Sequence, residues 1–79
     1  MAEVTALMRG RKIGFIGGGN MAGALIRGLL HSALVTPDQI RASDVKGDRL
    51  TELHTKYGIV AGDDNEALAR WADVIVIAV

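Results

Sequence analysis

Gly17-Gly18-Gly19-Asn20-Met21-Ala22 fits the spacing G-x-G-x-x-(G/A). Residues of these types at this spacing let a backbone come close to an anion. Gly17 would turn the chain tightly out of a strand. Gly19 has no side chain, so a pyrophosphate could approach the main chain there. Ala22 is small enough to seat the next helix near a sheet. The N–H groups of that helix's first turn, and its dipole, would then face the phosphates. A glycine-rich turn that binds nothing has the same composition, so the motif depends on its setting. No Gly-Lys-Ser/Thr follows the glycines, which excludes a P-loop.

A second chemical feature lies downstream. Asp44 falls a little beyond the ~20-residue spacing usual for the acid that binds an adenosine ribose in dinucleotide folds. Either its carboxylate accepts hydrogen bonds from that ribose and repels a 2′-phosphate, favouring NAD, or it is a turn residue ahead of Gly47. Lys46 offers the opposite choice, since its ammonium would pair with a 2′-phosphate. NADP and NAD therefore both remain as cofactors at this point. Asn65 fits an ordinary helix N-cap. Asp63 and Asp64 are adjacent, so their side chains diverge into a solvated loop. His31 and His54 lie on separate helical stretches and read as surface residues. Trp71 would pack under a helix end, and Asp73 would cap or charge the turn before the last strand. No Ser/His/Asp set, carboxylate pair or metal-ligand cluster stands out, so neither a catalytic residue nor a metal is expected.

The elements that must hold these residues alternate along the chain. Lys12 to Ile16 is a short apolar strand that stops at the glycines. Met21 to Ser32 has a helical period, with Met21, Leu25, Ile26, Leu29 and Leu30 on one stripe. Pro37 breaks the chain, and Gln39 to Ser43 reads as a second strand. Asp48 would cap a helix running to Tyr57, with Leu50 and Leu53 inward and Gly58 as its C-terminal cap. Ile59 to Ala61 is a minimal third strand, and a short helix runs from Asn65 to about Trp71. Val74 to Val79 is apolar throughout, as suits a central parallel strand covered on both faces. The order β-α-β-α-β-α-β predicts an α/β fold with a parallel sheet and right-handed crossovers. It corresponds to the N-terminal portion of a Rossmann-type, doubly wound sheet. Residues 1–11 read as a flexible leader and residues 12–79 as a partial dinucleotide-binding domain.

Composition narrows the function. The 79 residues carry nine basic and nine acidic side chains, for a net charge of zero. Neither nucleic acid nor an anionic membrane has a positive field to pull on. The absence of cysteine removes disulfide scaffolds, zinc ribbons and thiol nucleophiles together. The longest apolar run, Val74 to Val79, is far short of the ~20 residues that span a bilayer. Glu3, Arg9, Arg11 and Lys12 interrupt any signal-peptide core. The expectation is a cytoplasmic protein with neither nucleic-acid nor membrane partners.

The run Lys12-Ile13-Gly14-Phe15-Ile16-Gly17-Gly18-Gly19-Asn20-Met21-Ala22, followed by Ala24-Leu25 and Gly28-Leu29, resembles the opening of pyrroline-5-carboxylate reductase. The similarity continues through Gln39-Ile40, Leu53, Tyr57-Gly58-Ile59, Asn65, Ala72-Asp73-Val74-Ile75 and Ala78-Val79. It covers nearly everything after the leader. The resemblance implies an enzyme of proline biosynthesis that reduces a cyclic imine to proline with hydride from NADPH or NADH. It implies that Ile16, Gly17, Gly18, Gly19, Asn20 and Met21 hold the cofactor pyrophosphate. Asp44 falls where the family contacts the adenosine ribose or its 2′-phosphate. Asn65 falls on an asparagine that helps hold the adenine-side ribose. Ala78 and Val79 match the start of an Ala-Val-Lys-Pro segment beside the cofactor.

Two departures accompany the match. Asp44-Val45 stands where many members have a small polar or basic residue suited to NADPH. The family's second half-sheet and its C-terminal domain, which forms the dimer and the substrate pocket, have no counterpart in these residues. The implied partners are a nicotinamide dinucleotide, an imino-acid substrate only with that further domain, and other copies of the full-length enzyme in a homo-oligomer. Alternative readings are the cofactor domain of another oxidoreductase such as a hydroxyacid dehydrogenase, a stand-alone nucleotide-sensing module, or a remnant that binds nothing.

Overall fold

The computed structural model of the chain describes residues 8–17 and 19–78. The alternating pattern becomes β1 (Ile13–Ile16), α1 (Asn20–His31), β2 (Ile40–Ser43), α2 (Gly47–Tyr57), β3 (Val60–Gly62), α3 (Asn65–Trp71) and β4 (Val74–Ile77). A 3-10 turn, Pro37–Gln39, leads into β2. The four strands form one parallel sheet in the order β3-β2-β1-β4. Parallel neighbours cannot be joined by a hairpin, so each helix serves as a crossover. Ile16 lies opposite both Ser43 and Ile77, and Ser43 lies opposite Gly62. The carboxyl ends of all four strands are thus in one row.

Side chains alternate across a strand, so β1 serves two faces. Ile13 and Phe15 are fully buried in the main core with Ile40 and Ala42 of β2, Ile26 and Leu29 of α1, and Leu53 of α2. Gly14 serves the other face, where Leu68 of α3 and Ala72, just past its end, close in. Met21, expected on the inward stripe of α1, is instead 66% exposed. It sits in the first turn, where the helix begins beyond the row of strand ends, and Ala22 and Gly23 are buried in its place.

Helix starts differ from the expected ones. α2 begins at Gly47 with Lys46 in the N-cap position, and Asp48 lies within the first turn. A carboxylate there still favours the positive end of the helix dipole. Asp64, expected in a solvated loop, caps α3 by accepting the Ala67 N–H at 3.0 Å. Asn65 is therefore the first helical residue, and its side chain does other work. Gly58 ends α2 with φ 72°, the left-handed conformation that a glycine cap supplies.

Among the described residues, β4 is not covered on both faces. It lies at the edge of the described sheet, with Val74 and Val76 half-buried toward the core and Ile75 and Ile77 exposed. α3 packs mainly over β1 and β2. Met1–Leu7 of the expected leader lie outside the described residues, and Met8 packs partly buried against the core. Asp73 accepts the Lys12 N–H at 2.9 Å, tying the start of β1 to the start of β4. Trp71 is half-buried with the Arg41 guanidinium 4.3 Å from its ring centre. His31 and His54 are exposed, although Nδ1 of His54 hydrogen-bonds the Ile59 carbonyl.

Candidate dinucleotide site

β1 runs out at Ile16, and the chain turns at Gly17, whose φ of 95° is open to glycine and strained for other residues. The Gly17 N–H donates to the Ser43 carbonyl at 2.8 Å, which fastens the turn to the end of β2. Gly18 lies outside the described residues. Gly19 is the N-cap of α1 in extended conformation, with no side-chain cap bond and no acidic residue in the first turn. The first N–H groups of a helix have no intrahelical acceptor, so this end of α1 is suited to an anion. Among the described residues, a Cβ built on Gly19 would meet only the Ala78 carbonyl oxygen, at 3.9 Å. The protein's own packing therefore leaves room in front of Gly19. Asn20 and Met21 are exposed beside it, while Ala22 is fully buried and seats the helix on the sheet.

Asp44 follows β2 directly and joins the same end of the sheet. Its N–H donates to the Gly62 carbonyl at 3.1 Å, and its Oδ1 accepts the Lys46 N–H at 3.1 Å. The second bond is a local Asx turn, so the turn role is real. The same carboxylate also borders a polar groove shared with Gly19, Asn20, Lys46, Arg49 and Glu52. The two readings of Asp44 are thus compatible in one geometry. Lys46 is exposed on the rim of that groove.

Asn65 is held by the sheet. The hydroxyl of Ser43, which is 1% exposed, donates to Asn65 Oδ1. Asn65 borders a second hollow with Ile16, Gly17, Asp44 and Val45. Ala78 comes to the same place from β4, donating its N–H to the Ile16 carbonyl at 2.9 Å. Val79 lies outside the described residues. The fold thus brings Ile16, Gly17, Gly19, Asn20, Asp44, Lys46, Asn65 and Ala78 to one edge.

Arg49 and Ser43 at this edge carry no site role in the sequence alone, and Val45 enters there only beside Asp44. Arg49 reaches from α2 to the Gly19 carbonyl at 2.9 Å. Its only sequence signal is a basic residue in the first turn after the acid. Val45, 93% exposed, is an apolar side chain beside the Asn65 hollow. Ser43 was visible only as the end of a strand. Among the described residues no group of three or more His, Cys, Asp or Glu is placed to hold a metal. No helix among them is long and apolar enough to cross a membrane.

A parallel sheet with a glycine turn after its central strand, an acid after the next, and an open helix N-terminus between them defines a dinucleotide-binding protein of the Rossmann type. Residues 12–79 match the family described as NADP oxidoreductase, coenzyme F420-dependent, and the chain belongs to that family, whose cofactor class is a nicotinamide dinucleotide. It is 43% identical over 72 residues to a pyrroline-5-carboxylate reductase of Methanosarcina acetivorans, covering 91% of this chain and 27% of the relative. It is 42% identical over 69 residues to the Escherichia coli K12 protein of the same name, covering 87% and 26%. A solved pyrroline-5-carboxylate reductase from Coxiella burnetii superimposes with a TM-score of 0.81 at 38% identity, covering 87% of this chain and 25% of that one. The chain spans about a quarter of the length of these relatives.

Proposed function

We propose that this chain is the NAD(P)H-binding portion of a pyrroline-5-carboxylate reductase. The observation that carries the reading is the space in front of Gly19, at the N-terminus of α1 and beside Asp44. The residues fit the cofactor. Gly17, Gly18, Gly19, Asn20 and Met21 would cradle the pyrophosphate, with Ile16 and Ala78 lining its base. Ala22 acts indirectly, by seating α1. Asp44 and Lys46 would face the adenosine ribose or its 2′-phosphate, with Asn65, pinned by Ser43, on the adenine side. Val79 would contact the cofactor as well.

When bound, the dinucleotide supplies the hydride that reduces the imine carbon. The chain's own residues bind and orient it, and no proton donor is assigned among them. The imino-acid pocket and the homo-oligomer interface would belong to the three-quarters of the relatives that this chain does not match. A cytoplasmic setting and a place in proline biosynthesis follow from the same reading.

A chimera in which this chain replaces the corresponding quarter of the Escherichia coli relative tests the assignment. It should oxidise NADPH or NADH in the presence of pyrroline-5-carboxylate, and the chain alone should bind both dinucleotides weakly in an NMR titration. A folded chimera without dinucleotide binding would refute the reading.

A further inference from the structure

The Gly19 carbonyl oxygen accepts two hydrogen bonds, from the Gly23 N–H at 3.1 Å and from Arg49 Nη2 at 2.9 Å. That uses both of its lone pairs. The described peptide bonds include no cis bond, and in a trans peptide the N–H points opposite to the C=O. Fixing the Gly19 carbonyl therefore fixes the direction of the Asn20 N–H. That N–H belongs to the first turn of α1, where no intrahelical acceptor exists. The guanidinium is itself held from α2, because Arg49 Nη1 pairs with Glu52 Oε1 at 2.7 Å. It reaches the carbonyl through a gap in α1. A Cβ on Gly23 would lie 2.8 Å from Arg49 Nη2. Glycine within a helix weakens it relative to alanine, so this glycine costs α1 stability and admits the arginine.

We propose that Arg49 is a positioning residue for the dinucleotide, holding the Gly19–Asn20 peptide in the orientation that presents its N–H to the pyrophosphate, and that Gly23 is the notch that admits it. This rests on the glycine turn receiving the pyrophosphate. A donor already aimed at its ligand loses less freedom on binding, which favours affinity. A guanidinium is suited to the task because its planar fork engages Glu52 and Gly19 together, which a lysine ammonium does less well.

NMR titrations of the chain with NADH and with NADPH test this. Arg49→Met should raise both Kd values by about five- to tenfold and leave their ratio unchanged. Arg49→Lys should recover part of the loss. Gly23→Ala should displace the end of the Arg49 side chain and weaken both dinucleotides likewise, while Tm holds or rises because alanine favours the helix. The double variant Gly23→Ala/Arg49→Met should bind no worse than the poorer single variant. A loss confined to NADPH would make Arg49 a 2′-phosphate contact and overturn the proposal. Unchanged affinities or additive losses would also overturn it. If Arg49→Met does not fold, Gly23→Ala with its Tm and affinities decides alone. A wild-type chain that binds neither dinucleotide would instead refute the underlying reading of the glycine turn.

Discussion

Leu68 occupies the space that a side chain on Gly14 would need: a Cβ there would lie 2.6 Å from Leu68 Cδ2 and 3.1 Å from the Ala72 Cβ. The glycine lets α3 press onto β1, and α3 carries Asn65 to the site. Gly14→Ala should therefore destabilise the fold by about 1–3 kcal/mol through overpacking. Thermal denaturation followed by circular dichroism checks this. A variant with unchanged Tm would mean that α3 yields easily and that its seating is not set by Gly14.

Gly17 and Gly19 should separate by phenotype. At Gly17 the φ of 95° penalises any Cβ, so Gly17→Ala should cost about 1–2 kcal/mol of stability. At Gly19 the backbone is extended and a Cβ meets nothing among the described residues closer than 3.9 Å, so Gly19→Val should fold. Its side chain would fill the space proposed for the pyrophosphate and weaken the cofactor by about 2 kcal/mol or more. Dinucleotide titration with circular dichroism as the control measures both effects. Undiminished affinity in folded Gly19→Val would remove the pyrophosphate from this turn.

Asp44→Ser should keep the turn, since a serine hydroxyl also accepts the N–H two residues on. Removal of the carboxylate relieves repulsion against a 2′-phosphate while Lys46 remains nearby. The ratio of NADPH to NADH affinity should shift toward NADPH by about tenfold. A ratio that does not move would leave Asp44 a turn residue without a cofactor role.

The isolated 79-residue chain should show no reductase activity and should self-associate. β4 exposes Ile75 (42%) and Ile77 (68%) at the edge of the described sheet, and an apolar edge strand invites pairing with another chain. Ile77→Lys should shift the chain toward monomer in size-exclusion chromatography without loss of Tm. A wild-type chain that elutes as a monomer, or that turns over pyrroline-5-carboxylate, contradicts the expectation.

Local signals carried much of the fold. Short apolar runs and helical periods located each strand and helix to within a residue or two, and Gly58 ended α2 as its type and place suggested. Helix starts were less legible. Lys46 rather than Asp48 sits at the N-cap of α2, and Asp64 rather than Asn65 caps α3. Neighbouring polar residues compete for a cap on nearly equal terms, and tertiary contacts decide among them: Ser43 engages Asn65, so Asp64 takes the cap.

What the sequence by itself determined is the glycine turn, its place between a strand and a helix, and the acid after the second strand. Those are local, because a short G-x-G-x-x-A run, a β-α-β alternation and a strand-ending Asp44 each follow from neighbouring residues. Only the tertiary structure decided which strand is exposed and which residues meet. The apolar run Val74–Ile77 has the same composition whether its faces are covered or open, and only the order β3-β2-β1-β4 leaves it at the edge. Likewise Arg49 is one charged helix residue among several until the crossover brings α2 beside α1. The contact between its guanidinium and the Gly19 carbonyl joins residues far apart in the chain, and no local pattern encodes such a pairing.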